Sequence, residues 1–146
     1  MMLTRRQVDT QFRKEAGERK YEFIASTEVV GRDGDLVMLN KIDLKNFRRN
    51  PVFLWGHDDS DFPVGRIIRA WVGKNAENVR ELRILVQLVR EGISARADML
   101  AAMIDEGIVN AVSIRWIPRK VRYAKDQAER EALGLKEWGR IHEEID

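Results

Sequence analysis

From Arg80 to Val89 the chain alternates with little interruption. Leu82, Ile84, Val86 and Leu88 take every second position, with Arg83 and Gln87 on the other side. Side chains two apart share a face only when the backbone is extended, so this segment is a strand with one apolar face turned to a core. An isolated strand is not stable in water, and the rest of the chain must supply its sheet partners. The same period recurs in Tyr21 to Val30, where Tyr21, Phe23, Ala25, Thr27 and Val29 fall on one side. Pro51 to His57 (PVFLWGH) reads as a buried strand, and Val64 to Val72 as another, with a break at Gly73 to Asn78. Arg32-Asp33-Gly34-Asp35 carries turn chemistry, so Leu36 to Leu39 is expected to return against Tyr21 to Val30 as a hairpin.

The period changes after Val89. Ile93, Ala97, Leu100, Ala101, Ile104 and Ile108 recur at helical spacing, with Ser94 placed to cap the start and Gly107 to end it. Asp43 is expected to cap a short helix over Leu44 to Arg49, and Pro51 forces Asn50 out of helical geometry. Val109 to Ile117 returns to a strand, Tyr123 to Leu133 permits a helix, and the stretch from Gly134 to Asp146 is ambiguous. The sum is about six strands and one firm helix with one or two weaker ones. It points to an α+β chain, mainly β, as an antiparallel barrel or curled sheet with helices outside. Residues 1–19 read as a polar arm with room for a short helix around Val8 to Phe12, and residues 20–146 as one domain.

Composition narrows the chemistry. The 146 residues contain no cysteine, which removes disulfides, thiol nucleophiles and thiolate metal sites. The formal net charge is +2, and basic residues are scattered among acids, so a dedicated nucleic-acid surface is not expected. No apolar run is long enough for a membrane helix. The two histidines are His57 and His142, and a site that moves protons near neutral pH would most economically use one of them. His57 stands between an apolar strand and the acidic loop Asp58-Asp59-Ser60-Asp61. Read singly, it is a strand-end histidine bonded to its loop. Ser113 lies in NAVSIRWIP. If Val112, Ile114 and Trp116 face the core, Ser113 faces the other way, beside the small Ala111. A serine hydroxyl becomes a useful nucleophile only with a base within hydrogen-bond reach. There is no G-x-S-x-G elbow, and Trp116 stands where a Ser-x-x-Lys pair would need lysine. Asp58, Asp59 and Asp61 could offer oxygen ligands, but the spacing of a calcium loop is absent. No metal or cofactor is expected.

Three segments, taken in order, carry a resemblance. They are FIASTEVVGRDGDLV (23–37), DLKNFRRNPVFLWGHDDSDFPVGR (43–66) and GIVNAVSIRWIP (107–118). Together they resemble the tailed-phage prohead proteases, which mature the capsid. The resemblance implies an assemblin-like fold, a closed or partly open antiparallel β-barrel with surrounding helices, as in the herpesvirus assembly proteases. It implies a serine endopeptidase that cleaves scaffold, capsid-protein extensions and itself, working inside the assembling prohead in the host bacterial cytoplasm. The phage major capsid protein and scaffold would be its partners, and self-association into a homodimer or larger assembly is expected. The family's GHD histidine falls on His57 and its VSI serine on Ser113. For the third member the resemblance implies an acid downstream, with Glu144 preferred and Glu143, Asp146 and His142 as rivals. Two departures stand out. Arg115 replaces the usual glycine after the Ser-Ile pair, and relatives continue past the position of Asp146 into a further strand. A catalytically weak assembly module of the same fold is therefore the competing expectation, and a metal hydrolase using His57 and the loop aspartates is a third.

Overall fold

The computed structural model describes residues 14–15 and 19–146. The helix expected around Val8 to Phe12 lies outside them. The chain forms β1 (Lys14–Glu15), β2 (Lys20–Thr27), β3 (Leu36–Val37), α1 (Lys45–Arg49), β4 (Val52–Phe53), β5 (Gly65–Lys74), β6 (Arg80–Leu88), α2 (Ala95–Asp105), β7 (Pro118–Arg122), α3 (Gln127–Leu133) and β8 (Ile141–Ile145). One five-stranded sheet runs β1-β2-β6-β5-β4, antiparallel throughout, and a three-stranded sheet runs β3-β8-β7. The architecture is mixed and mainly sheet, with the larger sheet curled into a half-barrel. Among the described residues, no helix is long and apolar enough to cross a membrane.

The alternation of β6 does what its sequence demands: Leu82, Ile84, Val86 and Leu88 are buried. They meet Tyr21, Phe23 and Ala25 of β2 and the inner face of α2, where Ala97, Leu100, Ala101 and Ile104 are buried. Two bulges bend the sheet, one in β2 between Ile24 and Ser26 and one in β5 between Ile67 and Arg69. An extra residue on one strand increases local twist and curls the sheet around its contents. Helix α2 begins as expected, with the Ser94 hydroxyl accepting from Ala97 N–H at 3.2 Å. Helix α3 is capped by Asp126, which accepts from Glu129 N–H at 2.8 Å, and ends at Gly134 with a φ of 71°.

Several sequence expectations are corrected. The Arg32–Asp35 turn forms, with Gly34 N–H donating to Gly31 C=O at 3.0 Å. The strand after it, however, pairs in parallel with β8 rather than returning against β2, because Leu36 and Val37 find Ile141 and His142 across the domain. Pro51–His57 is not one strand: β4 covers two residues and a tight turn follows. Val109–Ile117 is not a strand of either sheet, and the smaller sheet resumes at Pro118. The ambiguous C-terminal stretch forms β8, the central strand of that sheet. Gly73 belongs to β5, and the reversal falls at Asn75, whose side chain accepts from Glu77 and Val79 N–H at 3.0 Å. Asp43 accepts from Lys45 N–H at 2.9 Å, but the capping position of α1 is taken by Leu44.

Candidate active site

Leaving β4, the chain turns over Trp55–Asp58. Gly56 and His57 have φ of 58° and 59°, and Asp58 N–H closes the turn on Trp55 C=O at 2.9 Å. Two successive positive φ values are the pattern of a type I′ turn. Glycine adopts that geometry freely. A residue with a Cβ gives up roughly 1–2 kcal/mol to hold it, so the conformation of His57 is a local strain that the surrounding fold sustains.

Ser113 comes from the segment between α2 and β7. Backbone N–H groups of Ile108 and Val109 hold one end to Met103 C=O, and a reciprocal pair between Ile117 and Asp146 holds the other. Within it Val109, Val112 and Ile114 pack on the core and Trp116 is buried. Burial does not alternate through the segment, however: residues 111–114 are all half-buried, residues 111–116 all border one cleft, and no strand pairing sets them. The Ser113 side chain meets the His57 ring. The Ser113 Oγ to His57 Nε2 distance is 2.6 Å between residues 56 apart in sequence. Both side chains are half-buried. With Nδ1 carrying the ring proton, Ser113 O–H donates to Nε2, the tautomer in which imidazole acts as a base.

The pair opens onto a cleft of about 900 Å³. Its depth is apolar, with Phe53 and Trp55 on one wall, Ile67 and Ala70 from β5, and Leu100 and Ile104 from α2. Arg32, Asp43 and Asn50 contribute to its polar part. The acidic loop is tied down beside the pair. Asp58 accepts from Ser60 N–H at 2.9 Å and Ser60 O–H at 2.6 Å, and these bonds hold its carboxyl below the usual range. Asp59 faces Arg115 at 3.5 Å, and Asp61 accepts from Arg96 at 2.8 Å. Arg96 also lies over the Trp55 ring, 5.7 Å from its centre. Among the described residues, no group of three or more His, Asp or Glu side chains gathers with metal-binding geometry.

The four C-terminal candidates go to different places. Glu144 pairs with Lys41 at 3.4 Å on the surface, and Glu143 pairs with Lys120 at 2.9 Å and with Arg122. His142 is buried beside Trp116, ring to ring edge-on at 5.6 Å, with Nε2 at 3.0 Å from Asp35. Asp146 lines the cleft that holds His57 and Ser113. Its carboxylate accepts from Arg119 and from Asn46, the latter at 2.7 Å, and these two partners hold it below the ordinary carboxyl range.

In the sequence Asp35 reads only as part of a turn. It is 3% exposed and gathers Arg140 and His142, both more than a hundred residues away. Burial pushes its carboxyl up, but the bonds from His142 and from the Arg140 backbone and guanidinium outweigh that and leave it lowered. Nothing local in the sequence marks a carboxylate whose partners are so distant. No protein-family description, curated protein or solved structure matches this chain.

Proposed function

We propose that this chain is a serine endopeptidase of phage prohead maturation, cleaving scaffold or capsid-protein extensions and itself. The reading is carried by the 2.6 Å contact between Ser113 Oγ and His57 Nε2 at the mouth of an open cleft. The curled antiparallel sheet with helix α2 packed on it accords with an assemblin-like barrel, which belongs to the same proposal. Ser113 Oγ attacks the scissile carbonyl carbon while its proton passes to His57 Nε2. The C–N bond then breaks, and the same proton leaves on the amine. Water, deprotonated by His57, hydrolyses the acyl-enzyme and returns the hydroxyl to Ser113. Asp146 is the most economical orienting acid, because of the four C-terminal candidates it is the one that lines the cleft. The partners would be the capsid protein and scaffold, in the host cytoplasm within the prohead, with self-association as a further expectation.

The test is cleavage of cognate capsid or scaffold protein, with Ser113→Ala and His57→Ala beside the parent chain. Each substitution should cut turnover by about a thousandfold or more while the melting curve stays cooperative. Normal processing by Ser113→Ala would refute serine catalysis. A second reading is favoured by two observations: Glu143, Glu144 and Asp146 are each bonded to other side chains, and Arg115 stands two residues beyond the nucleophile. On that reading the chain is a catalytically weak module that binds capsid or scaffold protein. Tight binding by the parent chain without turnover would establish it.

A further inference from the structure

Resting on the endopeptidase reading, we infer that the cleft selects an extended substrate segment carrying at least two bulky apolar side chains beside the bond presented to Ser113. The first ground is the lining. Trp55, Ile67, Ala70, Ile104 and Ile114 give the cleft apolar walls from four separate parts of the chain. A charged side chain set against these apolar walls loses water at a cost, whereas an apolar one gains by the transfer.

The second ground is size. About 900 Å³ lies at the upper end of the range for pockets that enclose drug-sized ligands, roughly 300–1,000 Å³, and is more than one side chain fills. The third is the backbone beside it. Ala111 to Ile114 make no backbone hydrogen bond with other described residues, although they line the cleft and carry the nucleophile. Unspent N–H and C=O groups in such a row suit pairing with an extended peptide, which would lay alternate side chains into the apolar depth. Charged groups also border the cleft, among them Arg32, Asp43, Asp146 and Arg115, the last paired with Asp59 at 3.5 Å, so the apolar preference belongs to the part walled by Trp55, Ile67, Ala70, Ile104 and Ile114.

The test uses the full chain carrying Ser113→Ala, so that bound peptide is not consumed. The probes are fluorescein-labelled octapeptides with leucine or phenylalanine at two alternate positions, and matched peptides with serine or lysine there. Anisotropy should give at least tenfold tighter binding for the apolar set. Ala70→Phe, which fills the cleft, should weaken that binding about tenfold with the melting temperature little changed. If Ala70→Phe fails to fold, Trp55→Ala serves in its place. Equal affinity for apolar, serine and lysine peptides would overturn the inference. So would unchanged binding in the cleft variant, or a dimer that the cleft variant dissociates while no peptide binds. A separate arm treats the parent chain with a fluorophosphonate. Labelling at Ser113 without apolar preference defeats the specificity and leaves serine chemistry standing. Apolar preference without labelling sustains the cleft's selectivity and defeats the peptidase.

Discussion

Replacing Asp35 by alanine should be the most damaging single change in the smaller sheet. The carboxylate accepts from Arg140 backbone N–H at 2.9 Å, from Arg140 Nη2 at 2.8 Å and Nε at 3.1 Å, and from His142 Nε2 at 3.0 Å. Truncation leaves a guanidinium and an imidazole N–H without an acceptor. Breaking a buried ion pair from one side costs about 3–5 kcal/mol. The Arg140 side chain is 31% exposed, so water re-solvates part of it and the lower end applies, about 3 kcal/mol. For a chain of 146 residues that corresponds to a fall of about 10 °C in Tm. The sign of the pH dependence follows from the lowered carboxyl. Asp35 stabilises the fold fully above the ordinary aspartate value of about 3.9, and the contribution fades as pH drops through its lower folded value. Urea unfolding of the parent and Asp35→Ala at pH 7 and at pH 3 is the assay, and the gap between them should narrow in acid. Asp35→Asn, which keeps the shape and loses the charge, should fall between the two. A loss under about 1 kcal/mol at pH 7, or a gap that does not narrow in acid, would refute the network as a stabilising element.

Gly56→Ala tests the turn that delivers His57. A Cβ there meets nothing within 4 Å, so the cost is conformational alone, about 1–2 kcal/mol from the positive φ. Denaturant unfolding should report that loss, and a neutral outcome would show that the turn relaxes without it. Asp146→Asn should lower kcat/KM about tenfold or more if that carboxylate orients His57. Glu144→Gln, which loosens a surface pair with 60% and 41% exposed partners, should leave both stability and kcat/KM within about twofold. The reverse ranking would return the orienting role to Glu144.

What the sequence disclosed divides along the range of the interactions. β6 and α2 were legible because their signals are local and repeated: four apolar residues at period two, then a helical stripe with a serine cap and a glycine stop. The positions of β3 and β8 were not. A turn at Arg32–Asp35 is real, but a turn does not decide which strand receives the chain, and Leu36 pairs with a residue more than a hundred positions later. The candidate site mixes both kinds of information. The apolar content around Ser113 is a local signal, and Val112 and Ile114 pack on the core as it implies even though the segment joins neither sheet. The Pro51–His57 run looks like a strand because its apolar content is high, yet Gly56 gives the chain an escape that hydrophobicity cannot reveal. That escape is what matters. Had residues 51–57 continued in extended geometry, the ring of residue 57 would be directed by the pleat of the sheet; the left-handed pair at Gly56–His57 instead frees its direction from the strand. The strain held at His57 and its 2.6 Å approach to Ser113 therefore belong to one arrangement, and relaxing the turn should loosen the contact before it unfolds the domain.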